Sequence, residues 1–149
     1  QDSVEPFLQF KEKWAIVLGL TSNKGNLDFQ RKKIDGTPLY ELVMKTAMQW
    51  GTDENTMFVV GATNEEDFEH IRTFCPNHFL LVPGVGAQGG DLEKLSQYGL
   101  NKDIGLLVNS TRGIIYASNG KDFAERAREE TLAINEQMKS LMDKYSPSV

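Results

Sequence analysis

The chain has 149 residues, 40% of them apolar and 25% charged, which suits a single globular domain of ordinary size. Its net charge is −5 and it has no strongly basic tract, so binding to nucleic acid through a phosphate-tracking patch is disfavoured. No apolar run approaches the roughly 18 residues of a membrane-spanning helix, and we expect no membrane association.

The first residues, Gln1 to Glu5, are polar and acidic, unlike a signal peptide. They lack an initiator methionine, which suggests a chain that begins inside a longer protein or was trimmed. We expect one unit over residues 1–149, with a flexible start over about residues 1–10. The single cysteine, Cys75, cannot form an internal disulfide, so a reducing cytoplasm is the expected location.

Four short apolar runs predict buried strands, and helical patterns follow each of them. Nearly continuous apolar runs bounded by polar residues or glycine are typical of parallel strands that are buried on both faces. Apolar residues at spacings of three and four predict the helices. Gly51 is expected to end the first helix, Asn64 to begin the second, and Gly99 to end the third. The strands are expected at 15–20, 57–62, 79–82 and 104–108, and the helices at 39–50, 64–75, 92–98 and 122–145.

Strand and helix thus alternate four times, which predicts an α/β protein with a parallel sheet and right-handed crossovers. Two architectures remain open: a small doubly wound sheet, or four βα units that form the C-terminal half of a (β/α)₈ TIM barrel. A complete barrel needs about 250 residues, so four units in this length favour the half-barrel. Such a half would have two open sheet edges and one uncovered inner face, and we expect it to be unstable alone or to associate.

In both architectures ligands bind where the strands end, and the loops after the third and fourth strands are the most distinctive. Bare backbone at Gly86, Gly89, Gly90 and Gly113 would let amide groups approach an anion. Arg112 supplies a planar cation suited to phosphate oxygens, beside a short helix expected at 114–116. Gln88 offers both donors and an acceptor and could bridge the phosphate and a polar ring.

Simpler interpretations of these residues exist. Glycine-rich loops also form ordinary turns, and Arg112 could be a surface residue or pair with an acid. Residues 84–89 match G-x-G-x-x-G, but they lack the context of a dinucleotide-binding unit. His70 and His78 have no second ligand at metal spacing, so both are interpreted as structural and no metal site is expected.

Three motifs together carry a family resemblance: V-L-G-L-T-S-N-K-G at 17–25, V-P-G-V-G-A-Q-G-G-D at 82–91 and N-S-T-R-G-I at 109–114. The chain resembles the C-terminal half of orotidine 5′-phosphate decarboxylase, in particular its longer bacterial branch. The resemblance implies a TIM barrel that acts as a homodimer. Such a barrel converts orotidine 5′-monophosphate to UMP and CO₂ in pyrimidine biosynthesis, as a carbon–carbon lyase without a cofactor.

The resemblance also assigns roles to individual residues. Ser22 would contact the amide edge of the pyrimidine, and Pro83 would line the pocket near the base. Gln88 would bridge the phosphate and the pyrimidine carbonyl region, while Arg112 and the backbone at Gly113 would hold the phosphate. The implied partners are the substrate or UMP, the N-terminal half of the same barrel and a second copy.

The family's catalytic D-x-K-x-x-D pattern does not occur in this chain. The nearest approach, residues 28–31, has Gln30 where the lysine is required. We therefore expect no catalytic residue in this chain, weak phosphate binding at best, and no turnover by the chain alone. A non-catalytic half-barrel that holds a phosphorylated ligand stays open as an alternative, as does another phosphate-binding barrel of the ribulose-phosphate type.

Overall fold

The computed structural model describes residues 1–62, 65–86 and 91–146. Its elements, in chain order, are α1 (Glu5–Leu8), β1 (Ala15–Leu20), a 3-10 turn (Lys24–Leu27), β2 (Lys33–Ile34), β3 (Thr37–Pro38), α2 (Leu39–Ala47), β4 (Thr56–Val60), α3 (Glu65–Phe74), β5 (Leu80–Pro83), α4 (Leu92–Gly99), β6 (Leu106–Asn109), α5 (Arg112–Ile115) and α6 (Phe123–Tyr145). Among these described residues, no helix is long and apolar enough to cross a membrane.

Four of the strands form one parallel sheet in the order β1-β4-β5-β6, which is also their order along the chain. A doubly wound sheet reverses its strand order at a switch point, and this sheet does not. The four sequential βα units are those of half a (β/α)₈ barrel, so the half-barrel prediction is confirmed.

The two faces of the sheet differ in burial. Phe58, Val60, Leu80 and Val82 point to the helices and are fully buried. The opposite face, which we call the inner face, consists of residues that pair in register across the strands: Ile16, Leu18, Met57, Val59, Leu81, Pro83, Leu107 and Asn109.

On this inner face the side chains of Ile16, Leu18 and Leu107 are 50%, 53% and 49% exposed. The apolar runs predicted strands buried on both faces, whereas here only the helix side is covered. The expected uncovered inner face is therefore present, and it is largely apolar.

The helices form where local signals support them. The Asp91 side chain accepts hydrogen bonds from the backbone N–H groups of Glu93 and Lys94, which caps α4. The helix α2 follows Pro38 and packs Tyr40, Met44 and Ala47 into the core, ending three residues before its predicted end. Leu141 is the one buried residue of α6, in agreement with the charge-rich outer helix expected there.

Most boundaries shift by a few residues from the predictions, and two shifts lie at β6 and at the short helix that follows it. The strand β6 begins at Leu106 rather than at residue 104, because Ile104 and Gly105 have positive φ angles of 72° and 66° in a turn closed by Asn101. The short helix expected at 114–116 begins earlier, so Arg112 and Gly113 lie in its first turn. The expected flexibility of residues 1–10, where α1 lies, stays a prediction.

The amino-terminal ends of β5 and β6 are tied together by Arg72 on α3. Its guanidinium donates to the carbonyl oxygens of Gly99, Cys75, His78 and Gly105 at 2.8–3.0 Å, and to that of Pro76 at 3.5 Å. These carbonyls include those at the carboxyl ends of α3 and α4, where a cation is favoured. Burial lowers the pKa of Arg72 to about 10, so the side chain stays charged at neutral pH.

Candidate functional site

The carboxyl ends of the four strands lie side by side and are joined by backbone hydrogen bonds. Gly61 N–H donates to Leu20 O at 2.8 Å, and Ala62 N–H donates to Pro83 O at 3.2 Å. Gly84 N–H donates to Asn109 O at 3.3 Å. With neighbouring strands about 4.8 Å apart, the ends of β1 and β6 are separated by roughly 14 Å along the sheet. The candidate site is the row of loops along this edge.

The loop after β1 is held by two amide side chains. Gln30 Oε1 accepts hydrogen bonds from the backbone N–H and the hydroxyl of Thr21, at 2.8 and 3.1 Å. Buried Asn26 donates from Nδ2 to Thr21 O at 2.7 Å. Next to Gln30, Arg31 forms a two-pronged ion pair with Asp67 on α3, which raises the pKa of Arg31. Residues 23–38, predicted as a long polar loop, thus fold over the end of β1 and fix the position of Thr21.

Ser22 is half-buried and lies against the end of β4. A Cβ atom added to Gly61 would be only 2.5 Å from Ser22 N and 2.7 Å from Ser22 Cβ. Only glycine allows this close approach, because an L side chain at residue 61 would displace the backbone of the Ser22 loop. Gly61 is therefore part of what positions Ser22.

Pro83 is the last residue of β5 and lies on the inner face, opposite Asn109. The chain then turns through Gly84 and Gly86, which have φ angles of 96° and 75° that favour glycine. Gln88, Gly89 and Gly90, for which phosphate-site roles were predicted, lie outside the described residues.

The loop after β6 carries the predicted phosphate-binding residues. Arg112 is exposed, and among the described residues no hydrogen bond or ion pair engages its guanidinium. Gly113 is half-buried, and a Cβ atom there would be 2.9 Å from the Ser110 hydroxyl. That hydroxyl lies 3.5 Å from Val85 O, across the gap to the glycine-rich loop. The two loops expected to share a phosphate are therefore in contact.

A pocket of about 290 Å³ lies behind these two loops, against α4 and α6. Its lining includes Val85, Gly86, Ser110 and Gly113 from the loops, and Glu130 and Gln137 from α6. A carboxylate in the lining opposes the binding of an anion inside this pocket. Arg112 is not among the residues that line this pocket.

The two histidines singled out in the sequence lie away from this edge. His70 Nε2 is 2.8 Å from Glu41 Oε2, and Glu41 Oε1 accepts a hydrogen bond from Lys45. Both bonds lower the pKa of Glu41, and the bond from Lys45 has the larger effect. His78 stacks at a tilt on Phe58, and burial lowers its pKa. Within residues 1–62, 65–86 and 91–146, no group of three or more histidine, cysteine or acidic residues could hold a metal ion.

The structure thus brings Ser22, Pro83, Arg112 and Gly113 to one edge of the sheet. Three further residues at this edge were not recognised in the sequence as parts of the site: Gln30, Gly61 and Asn109. The N-S-T-R motif contains Asn109, and strand alternation from Leu107 would have placed it on the inner face.

The fold and the position of the loops define this protein as half of a (β/α)₈ barrel, with its candidate ligand site at the carboxyl ends of the strands.

No protein-family model matches the chain. Comparison with curated proteins identifies orotidine 5′-phosphate decarboxylases as its relatives. The relative from Flavobacterium johnsoniae is 54% identical over 143 residues, which cover 96% of this chain and 52% of that protein. The relative from Phocaeicola vulgatus is 51% identical over 95% of this chain and 53% of its own length.

Solved structures agree with the sequence comparison. Leishmania donovani UMP synthase matches 90% of this chain with a TM-score of 0.75 and 38% identity, over 30% of its own length. Leishmania donovani OMP decarboxylase matches 91% of the chain with a TM-score of 0.73 and 33% identity, over 52% of its own length. This chain is a homologue of one half of orotidine 5′-phosphate decarboxylase, and it spans about half the length of the curated relatives that it matches.

Proposed function

We propose that this chain is the phosphate- and pyrimidine-binding half of an orotidine 5′-phosphate decarboxylase, which converts orotidine 5′-monophosphate to UMP and CO₂. The observation that carries the proposal is 51–54% identity, over nearly the whole chain, to relatives of that name. The one-sided sheet of four strands supports it, because such a sheet is half of a (β/α)₈ barrel.

The phosphate would bind at the loop after β6. Arg112 offers a guanidinium with no partner among the described residues, and its planar fork suits phosphate oxygens. Gly113 follows Arg112 directly, and because glycine has no side chain, a phosphate could approach its backbone N–H closely. Gln88, in the neighbouring loop, would donate to the same phosphate and reach toward the base.

The pyrimidine would lie toward β1. Ser22 lies at the end of that strand, across the sheet from Arg112, and would bond the amide edge of the ring. Pro83, between them on the inner face, would contact the base. A separation of roughly 14 Å along the sheet leaves room for a nucleotide that spans the edge from its phosphate to its base.

The acid–base chemistry would come from the complementary half of the barrel. Decarboxylation leaves negative charge on the pyrimidine carbon, and a nearby ammonium group would stabilise that charge and deliver a proton. Gln30 cannot supply this ammonium, and its side-chain oxygen is already used to hold Thr21. The phosphate site contributes binding energy from a remote group, which can lower the barrier only when the acid–base centre is present.

The test is a reconstitution. This chain is expressed alone, and also together with the complementary four-strand half of the Flavobacterium johnsoniae relative; we call the latter the reconstituted assembly. We expect the assembly to form UMP, and each half alone to form none above the uncatalysed rate. Turnover by this chain alone would contradict the proposed division of labour.

Arg112→Ala in the reconstituted assembly tests the phosphate site. Loss of a charge-assisted hydrogen bond costs about 1.5–3 kcal/mol, so UMP should bind at least roughly tenfold more weakly. Arg126→Ala is the matched control, because Arg126 lies on α6 in surface ion pairs with Asp122 and Glu129. Equal UMP affinity for both variants would reject Arg112 as the phosphate ligand.

A second candidate function is a binding protein without chemistry, which the lack of a D-x-K-x-x-D pattern in this chain favours. A D-x-K-x-x-D pattern encoded upstream of Gln1 in the parent reading frame would reject this candidate. A ribulose-phosphate-type barrel would instead discriminate poorly between UMP and a sugar phosphate that lacks a base, and competition between the two ligands measures this.

We further propose that the inner face docks against the complementary half-barrel and that complete barrels pair as homodimers. The exposed apolar residues Ile16, Leu18 and Leu107 support the first contact. Sedimentation of the reconstituted assembly should give the mass of two barrels, and a single-barrel mass would contradict the dimer. We also propose a cytoplasmic location, which the lone buried thiol of Cys75 supports.

A further inference from the structure

Asn109 is the one amide side chain among the inner-face residues. It ends β6, where its register partner across the sheet is Pro83, and its side chain is exposed at the row of ligand loops. Ile16, Leu18 and Leu107 on the same face are apolar. A closed barrel would bury this face, and a buried amide without hydrogen bonds is costly. The position therefore calls for a polar partner.

Two neighbours form hydrogen bonds with Asn109, one with its side chain and one with its backbone. The Thr111 hydroxyl donates to Asn109 Oδ1 at 2.9 Å, which uses one of the two lone pairs of that oxygen. Gly84 N–H donates to the backbone oxygen of Asn109 at 3.3 Å, which joins it to the glycine-rich loop. The Nδ2 group makes no hydrogen bond with any residue that the structure describes. The amide therefore has two donor hydrogens on Nδ2 that no described residue accepts.

We propose that Asn109 is a ligand-binding residue, whose Nδ2 group donates to an acceptor oxygen of the bound nucleoside monophosphate between its phosphate and its base. Thr111 is the positioning residue, which holds the amide with its donors turned toward the ligand. The inference rests on the proposed function, since it takes the same ligand and the same edge of the sheet.

The location of Asn109 favours this ligand chemistry. It lies between Pro83, on the proposed base side, and Arg112, on the proposed phosphate side, three residues further along the chain. An oxygen-rich anion offers acceptors along its whole length, and donors are what this amide has to offer. Asn109 would select a ligand with an oxygen at this point over one that presents a donor there.

The test measures UMP affinity and the unfolding midpoint of the reconstituted assembly. In Asn109→Asp the acceptor for Thr111 remains, while both donors are lost and a negative charge faces the anion. We expect at least a tenfold loss of UMP affinity with little change in the unfolding midpoint. Asn109→Leu should lose about as much through the missing donors alone, and Thr111→Val should lose less, because the amide is then free to turn but still present.

Asn135→Asp provides the matched control, since it adds the same charge on the exposed face of α6. It should bind UMP as the unsubstituted assembly does. If Asn109→Asp and Asn109→Leu bind UMP normally while Arg112→Ala does not, the inference is overturned and the proposed function stands. If the unsubstituted assembly does not bind UMP, both fail together.

Discussion

Replacement of Arg72 should reveal how strongly the end of the sheet opposite the ligand loops stabilises the fold. The informative change is Arg72→Met, which keeps most of the length of the side chain and removes its charge and all its donors. Arg72→Lys is the second variant, because it keeps the charge but has three donors on one atom instead of a planar fork.

The expected magnitude follows from the five carbonyl oxygens that Arg72 contacts. Four of them accept at 2.8–3.0 Å, and they belong to Cys75, His78, Gly99 and Gly105. A buried carbonyl left without a donor costs about 1–3 kcal/mol, although water will reach some of them. Because several carbonyls lose their donor together, we expect Arg72→Met to cost roughly 3–5 kcal/mol in total. That is a large share of the roughly 5–15 kcal/mol by which a folded protein is stable.

The assay is urea unfolding of the reconstituted assembly, with the midpoint and the slope both recorded. Arg126→Met is the control, because Arg126 also contacts two side-chain oxygens but lies in exposed ion pairs, where no measurable change is expected. Arg72→Lys should lie between the two. A midpoint for Arg72→Met within experimental error of the Arg126→Met value would refute the reasoning that these carbonyls depend on the guanidinium.

Two further predictions concern individual contacts. Neither ring nitrogen of His78 has a hydrogen-bond partner among the described residues, and burial lowers the pKa of His78 below the usual 6.5. The contribution of the neutral ring to the free energy of unfolding should therefore be complete above about pH 6.5 and be lost as the pH falls below it. His78→Phe should flatten this slope in pH-dependent unfolding, and an unchanged slope would assign it to other groups. Gly61→Ala brings a Cβ atom to 2.5 Å from Ser22 N, which must displace the Ser22 loop by about 0.9 Å and weaken UMP binding. Gly120→Ala, whose Cβ would meet only side-chain atoms of Asp122 and Ser118, should bind UMP normally.

The sheet could be predicted from the sequence because each strand is a short apolar run and each crossover contains a patterned helix. The order of these units along the chain then determines a parallel sheet, and their number favours half a barrel. The start of β6 could not be predicted in this way, because Ile104 is apolar and looks like strand sequence. Its positive φ angle results from the turn at Asn101, and local hydrophobicity does not report such a turn.

The site was predicted only in part, for a related reason. Arg112 and Gly113 stand out by residue type, in a loop that follows a strand. Gln30 does not, because its hydrogen bonds to Thr21 link residues nine positions apart through a fold of the 23–38 segment that has no apolar period. Asn109 is similar: the alternation of β6 places it on the inner face, but its orientation depends on Thr111 and Gly84, which only the folded loops bring into contact.

The two arginines at opposite ends of the sheet illustrate how the structure separates stability from binding. All three guanidinium nitrogens of Arg72 donate to backbone carbonyls of this chain, so the fold itself uses its charge. Arg112 lies exposed beside bare backbone, with no described partner for its charge. A guanidinium that the fold does not use is available to a ligand, whereas one saturated by carbonyls is not. Substitution of Arg72 should therefore lower the unfolding midpoint and leave the UMP affinity of the folded assembly unchanged. Substitution of Arg112 should lower the UMP affinity and leave the unfolding midpoint unchanged.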